Sequence, residues 1–178
     1  MLTQEIVNKN KVLSLAFSYK PFEDLLPDFI LQANKAVDLD PSLMIRELLR
    51  SYVKYGKGSA GYRTMLFDLA WAVYEQHPEL WSDEEREEGF SDLAARCTEL
   101  YPDMDPEMAD LDVLMFSYGQ YFAVGIDFCF NARLDDPIRP LICRSMYIFF
   151  ERWSFQYNEE IMEETQVDIE SWIEENNG

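Results

Sequence analysis

Apolar residues recur at three- and four-residue spacing along most of the chain, and alternating runs typical of strands are almost absent. This spacing is typical of amphipathic helices. Helix-start signals stand at Asp40-Pro41, Asp105-Pro106 and Asp136-Pro137, where Asp can cap the helix and Pro suits its first turn. The pattern predicts an all-α fold, a single-domain helical bundle of about seven or eight helices over residues 1–178.

The most apolar stretch is Val113–Phe130, which has eighteen residues, no Pro and a single carboxylate, Asp127. A helix that is apolar on every side is a buried one. The stretch is long enough for a membrane span, but its polar residues are costly in lipid, acidic residues flank it, and no basic cluster anchors it. It therefore predicts a buried central helix at about 106–132, in which Gly119, Ala123 and Gly125 allow close helix packing.

Other segments show the same periodicity with clear stops. A Gly-containing turn at 55–58 ends the helix that begins at Asp40-Pro41, and Ser82 with Glu85 matches a capping box. The last helix is predicted at about Gln166–Glu175. Its apolar side comprises Val167, Ile169, Trp172 and Ile173. Further helices are predicted at Leu2–Phe17, at about Pro27–Val37, from Ser59 to His77, and from about Pro140.

The formal net charge of −19 is distributed unevenly. Residues 1–63 hold nine Lys/Arg and seven Asp/Glu, whereas residues 64–178 hold six Lys/Arg and twenty-seven Asp/Glu. Most of this surface would repel nucleic acid, because binding it relies on basic side chains that displace counterions. A basic protein partner would be attracted, although acidity that only keeps the protein soluble is the alternative.

Catalytic and cofactor motifs are not recognisable. The chain has one histidine, His77, which excludes Glu-x-x-His pairs and zinc sites that need two histidines. The alternating Asp103 and Asp105 lack the Gly and the bidentate Glu of an EF-hand loop. The glycines at 56, 58 and 61 do not have phosphate-loop spacing. We therefore expect no enzyme activity, no metal and no cofactor.

Two kinds of residue within the apolar helices have a structural explanation. Asp127 on a buried helix must be ion-paired, hydrogen-bonded or protonated. We expect an Arg to pair with it, the alternative being a polar ligand pocket. The three cysteines, Cys97, Cys129 and Cys143, are widely spaced in helical patterns, which predicts reduced, buried thiols.

The N-terminus lacks the features of a signal peptide, so a cytoplasmic location is expected.

Carboxylates concentrate in two segments. Residues 75–112 hold fourteen Asp/Glu and two Arg, and the chain after Arg152 holds eight Asp/Glu and no basic residue. Such a concentration destabilises the fold unless a positive partner relieves it. The predicted partner-binding residues are Asp103, Asp105, Glu107, Asp110, Asp112, Tyr157, Glu159, Glu160, Glu163 and Glu164. Nearby aromatic anchors are expected among Tyr101, Trp153, Tyr157 and Trp172. Ordinary core packing is the alternative for these aromatics and is favoured for the two tryptophans.

In size, acidity and helical class, the whole chain resembles bacterial immunity proteins, including those of contact-dependent growth inhibition. The resemblance implies a cytoplasmic inhibitor that covers the positive active site of a cognate toxin, often a basic nuclease. Two alternatives stay open. A phage or plasmid DNA mimic would use the same acidity against a restriction or CRISPR nuclease, and a helical adaptor would need no charged partner. Neither nucleic acid nor a membrane is an expected partner.

Overall fold

The computed structural model describes residues 1–56, 60–77, 79, 84, 117–131, 138–153 and 158–177. All regular secondary structure in these ranges is helical, which confirms the all-α prediction. A π-helix, Asp127–Asn131, continues the seventh α-helix. The α-helices in the described ranges are α1 (Gln4–Lys9), α2 (Lys11–Phe17), α3 (Lys20–Glu23), α4 (Leu26–Lys35), α5 (Pro41–Gly56), α6 (Ala60–Gln76), α7 (Tyr118–Ile126), α8 (Arg139–Trp153) and α9 (Glu159–Asn177).

The start of the chain contains more breaks than its periodicity predicts. Asn10 has extended backbone, and its side-chain oxygen accepts a hydrogen bond from Leu13 N at 3.0 Å, so it caps α2 and divides Leu2–Phe17 into two helices. Pro21 lies in the first turn of α3, where its missing N–H costs nothing, instead of only ending the preceding helix.

The chain divides into two compact units. Unit 1 comprises Met1–Asp38 and Met115–Gly178, and unit 2 comprises Leu39–Leu114. Unit 1 therefore contains α1–α4 and α7–α9, whereas unit 2 contains α5 and α6. That residues 1–178 form one domain stays a prediction.

The core of unit 1 is a cluster of phenylalanines around Phe122 in α7. Phe122 is fully buried, and its ring centroid lies 5.0 Å from that of Phe17 and 5.1 Å from that of Phe22, both edge-on. Phe29 extends the cluster into α4 and Phe150 extends it into α8. Aromatic pairs of this geometry add about 0.5–1.5 kcal/mol each beyond burial of their area. The cluster thus joins helices from both ends of the chain.

The predicted close-packing role of two glycines in α7 is confirmed. A Cβ at Gly119 would lie 2.6 Å from the carbonyl oxygen of Thr165 in α9. A Cβ at Gly125 would lie 2.7 Å from the Sδ and Cε atoms of Met146 in α8. Because any side chain would overlap these atoms, glycine permits α7 to approach both neighbours.

The start of α7 differs from the predicted helix over 106–132. Ser117 has extended backbone, its hydroxyl accepts a hydrogen bond from Gln120 N at 3.2 Å, and Ser117 N donates to Gln120 Oε1 at 3.0 Å. This capping box starts a new helix at Tyr118, so a helix continuous through Ser117 is not found. The part of the prediction before Ser117 lies outside the described residues. Among the described helices, none combines the length and apolar character that crossing a membrane requires.

Unit 2 contains two consecutive helices that pack together. Asp40 Oδ1 accepts a hydrogen bond from Ser42 N at 2.7 Å and α5 ends at Gly56, as the sequence predicts. Tyr52 of α5 and Phe67 of α6 have ring centroids 6.0 Å apart, and both are buried. Pairing of neighbouring helices across a short connection is the usual helical hairpin.

Candidate functional site: the acidic face of the last helix

The last helix, α9, begins seven residues before the sequence predicts. Asn158 is its N-cap, since its Oδ1 accepts a hydrogen bond from Ile161 N at 2.9 Å. Glu159 and Glu160 occupy the first turn, where carboxylates complement the positive end of the helix dipole. An Asn followed by two acidic residues was therefore a usable start signal. The predicted start near Gln166 is wrong because the apolar periodicity is weak in the first two turns.

One side of α9 packs against the other helices of unit 1. Thr165 and Ile169 are buried, and Thr165 Oγ1 donates to the carbonyl of Ile161 at 2.7 Å. Trp172 lies beside Phe22, with ring centroids 5.7 Å apart. This contact places Trp172 against the core of unit 1, as expected if it packs in the core and does not serve as an exposed anchor for a partner.

The opposite side of α9 carries a row of carboxylates, which we call the acidic face. Its exposed members are Glu159, Glu160, Glu163, Glu164, Glu170, Glu174 and Glu175. The helix contains no Lys or Arg, and within the described residues no basic side chain forms an ion pair with any of them. From side chains in the described ranges, only Glu170 of this face accepts hydrogen bonds, from Tyr19 Oη at 3.0 Å and Gln166 Nε2 at 3.5 Å.

These carboxylates also repel one another. Glu159 and Glu163, like Glu160 and Glu164, are four residues apart and therefore adjacent on the helix surface. Each such like-charge pair destabilises a helix by roughly 0.2–0.5 kcal/mol. Elsewhere in the described chain two carboxylates form ion pairs with Lys or Arg, Glu5 with Lys9 at 3.6 Å and Glu47 with Arg50 at 2.9 Å. Among the described residues no cation therefore relieves the repulsion within the acidic face.

An apolar residue lies in the middle of the acidic face. Val167 is 59% exposed and has Glu163, Glu164 and Glu170 at its helical neighbour positions. The predicted placement of Val167 on the same side of the helix as Ile169 is therefore wrong, because Thr165 and Asp168 take the inner positions beside Ile169. An exposed apolar centre with a charged rim is the arrangement of protein interfaces. Sequence periodicity missed this role because Val167 fits an apolar stripe equally well.

A pocket of about 220 Å³ lies at one edge of the acidic face. It is lined by Ser117, Tyr118, Ile161, Glu164 and Thr165. Burial raises the pKa of the Tyr118 hydroxyl above its ordinary value. Since α7 and α9 contribute lining residues distant in sequence, no local pattern could have revealed this pocket.

Four of the ten predicted binding residues lie in the described part of the chain. Glu159, Glu160, Glu163 and Glu164 come together on the first two turns of α9. The remaining predicted binding residues lie outside the described residues, as does the expected anchor Tyr101. These binding residues are Asp103, Asp105, Glu107, Asp110, Asp112 and Tyr157.

Asp127 lies at the first position of the π-helix and is half-buried. It has an interaction partner, so it is not an isolated buried charge. Arg139 Nε donates to the carbonyl of Cys129 at 2.7 Å, which fixes this cation beside the π-helix. Pairing of Asp127 with an Arg stays a prediction.

Cys129 and Cys143 are free, buried thiols, as the sequence predicts, and Cys143 donates to Cys129 with a sulfur separation of 4.0 Å. Burial, together with the Cys143 thiol, raises the pKa of Cys129 well above its ordinary value, which makes it a poor nucleophile. Cys97 lies outside the described residues. Within those residues no three His, Cys, Asp or Glu side chains form a group suited to a metal ion.

Comparison of the chain with protein-family models, curated proteins and solved structures found no match.

Proposed function

We propose that this protein is a cytoplasmic inhibitor of the immunity type, which binds and neutralises a basic protein toxin through the acidic face of α9. The observation that supports the proposal is the unrelieved charge of that face, in which exposed carboxylates repel one another without an ion-pair partner among the described residues. Lys and Arg side chains of a nuclease active site would supply the missing counter-charge. The toxin would then be unable to reach its nucleic-acid substrate.

The acidic face has the properties that steer and hold a basic partner. Concentrated charge of one sign raises association rates, and this effect weakens as salt screens it. Val167, exposed at the centre, supplies apolar area that becomes buried in a complex. Because the inner side of α9 packs against the other helices of unit 1, the backbone that carries these carboxylates is already helical before binding, which lowers the entropic cost of association.

A protein inhibitor is favoured over a DNA mimic by the distribution of cations. On α5 the side chains of Arg46, Arg50 and Lys54 are exposed. A mimic would present carboxylates over an extended surface, and these cations interrupt such a surface on their helix. The adaptor alternative does not use the acidic face at all.

The direct experiment is capture of binding proteins from the source cell with the purified chain, followed by an activity assay on what is captured. We expect a strongly basic protein whose nuclease activity falls when the purified chain is added. Its association rate should fall steeply as salt is raised from about 0.01 M to 1 M, because the screening length shortens from about 30 Å to about 3 Å. An eluted partner that is acidic, or whose activity the chain does not alter, would contradict the proposal.

Matched variants separate the acidic face from net charge. The test variant changes four carboxylates in the first two turns of α9: Glu159→Gln, Glu160→Gln, Glu163→Gln and Glu164→Gln. The control variant makes the same change in net charge at four exposed positions elsewhere in unit 1: Glu5→Gln, Glu23→Gln, Asp24→Asn and Asp38→Asn. We expect the test variant to lose inhibition and the control variant to keep it. Equal losses would show that net charge alone drives binding.

A further inference from the structure

Two buried thiols, those of Cys129 and Cys143, lie next to each other in unit 1. Both side chains are fully buried, and their sulfur atoms are 4.0 Å apart. Cys129 belongs to the π-helix and Cys143 to α8, so the pair connects two different elements. A disulfide bond of about 2.05 Å requires the sulfurs to approach by roughly 2 Å. Rotation about the Cα–Cβ bonds displaces sulfur atoms by distances of this order.

Two contacts beside the thiols hold their backbone segments together. One turn before Cys129, Gly125 packs so closely on Met146 that a Cβ there would lie 2.7 Å from the thioether sulfur. One turn before Cys143, Arg139 Nε donates to the carbonyl of Cys129 at 2.7 Å. Residues one turn apart share a helix face, so both contacts adjoin the thiol pair. The fold therefore keeps the two sulfurs at a high effective concentration relative to each other.

Burial controls when these thiols react. The species that attacks a disulfide is the thiolate. Burial, together with the Cys143 thiol, raises the pKa of Cys129 well above its ordinary value, so its thiolate is scarce in the folded chain. Cys129 also lies in a π-helix, a rare element that is frequent at functional sites. Exchange with a dissolved reagent therefore requires local opening of this segment, and a disulfide formed there is sheltered from reductants in the same way.

We propose that Cys129 and Cys143 are a redox-sensitive pair, which a low-molecular-weight disulfide such as oxidised glutathione converts into one intramolecular disulfide. One cysteine thiolate attacks the oxidant, forms a mixed disulfide and releases a small thiol. The other cysteine thiolate then attacks the protein sulfur of the mixed disulfide and releases the second small thiol. The two cysteines lose two protons and two electrons in total, and the oxidant takes up both. The new bond joins the π-helix to α8 and stabilises unit 1 by constraining the unfolded chain, independently of the acidic face.

The test compares formation of this disulfide in the folded and in the unfolded chain. Full-length protein is equilibrated in buffers of reduced and oxidised glutathione, once during refolding from denaturant, so that burial does not block exchange, and once in guanidinium. Acid stops the exchange, and peptide mass spectrometry measures the peptide that links Cys129 to Cys143. We expect the folded chain to favour this disulfide about tenfold or more, because a disulfide that stabilises the fold is favoured by the fold in equal measure.

Two variants separate the pair from the third cysteine of the chain, Cys97. Cys97→Ala keeps the pair, so oxidation should raise its unfolding temperature. In Cys97→Ala/Cys143→Ala, Cys129 can form only a mixed disulfide with glutathione, so oxidation should give no such rise. The comparison of folded with unfolded chain is made in the wild type and does not depend on how well the variants fold. Equal disulfide formation in both states, preferential linkage to Cys97 in the folded chain, or a lower unfolding temperature after oxidation of Cys97→Ala would overturn the proposal.

Discussion

The two close-packed glycines of α7 give a paired prediction, because alanine would meet different kinds of atom at each. At Gly119 the new Cβ would lie 2.6 Å from the backbone oxygen of Thr165 and 3.1 Å from Asp168 Cβ. A backbone oxygen can move only if α9 moves with it. At Gly125 the new Cβ would meet the flexible end of Met146, which can change rotamer.

The magnitudes separate the two variants. Overpacking of a well-packed site costs about 1–3 kcal/mol. Replacing Gly by Ala in a helix interior stabilises the helix by about 0.8–1.0 kcal/mol through its higher helix propensity. This gain should be larger at Gly125 than at Gly119, because Gly119 lies in the first turn of α7. We therefore expect Gly125→Ala to lie within about 1 kcal/mol of wild type, and Gly119→Ala to be destabilised by about 1–3 kcal/mol.

Guanidinium unfolding followed by circular dichroism measures the difference, provided that the slopes with denaturant agree between variants. A loss of 1 kcal/mol should lower Tm by about 2–4 °C in a chain of this size. Gly119→Ala as stable as wild type, or less damaging than Gly125→Ala, would refute the inference that glycine seats α9 on α7.

Three further predictions concern polar groups that are buried or half-buried. The hydroxyl of Ser145 is buried and has no hydrogen-bond partner among the described residues, so Ser145→Ala should stabilise the protein by about 1 kcal/mol in chemical unfolding, and a loss of stability would contradict this. Asn34 donates to Leu2 O at 2.9 Å and accepts from Leu2 N at 2.7 Å, so Asn34→Ala should cost about 1–3 kcal/mol, with Asn34→Asp a control that keeps only the acceptor. Burial raises the pKa of Tyr118 and Tyr147, so the unfolded chain loses these protons first and stability should fall as pH rises above about 10. A pH titration of unfolding should show a smaller fall in Tyr118→Phe, and an unchanged fall would argue against that assignment.

Helix starts and stops marked by proline or glycine were predictable from the sequence. The first residue of α5 follows Asp40 and its last is Gly56, as those residues dictate. Helix α8 begins at Arg139, beside the predicted Pro140. In such cases the signal is local, because a capping residue or a proline ring constrains the backbone at its own position and at its immediate neighbours.

Boundaries inside apolar or acidic runs were harder to predict. The capping box of Ser117 and Gln120 was present in the sequence, but the apolar residues on both sides of it suggested one uninterrupted helix. The start of α9 at Asn158 was hidden in the same way by its acidic first turns. A cap competes with the surrounding periodicity, and the outcome depends on packing that the sequence alone does not display.

The charge of the candidate site was predictable, whereas its shape was not. Four predicted residues, Glu159, Glu160, Glu163 and Glu164, do share the first turns of one exposed helix. Carboxylate clusters reach the surface because burying unpaired charge is prohibitive. The pocket, by contrast, is lined by residues of α7 and α9, two helices that Gly119 allows to approach closely.

Stability and binding should respond in opposite directions if the acidic face is functional. Glu163→Gln/Glu164→Gln removes three like-charge pairs at four-residue spacing, with Glu159, Glu160 and Asp168, beyond the first turn where the helix dipole acts. The free energy of unfolding should rise by about 0.6–1.5 kcal/mol, while affinity for the basic partner falls. If the acidity only keeps the protein soluble, the double variant should gain stability without losing affinity. The control Glu5→Gln/Glu47→Gln changes net charge equally but breaks two ion pairs, so it should lower stability slightly and leave affinity unchanged.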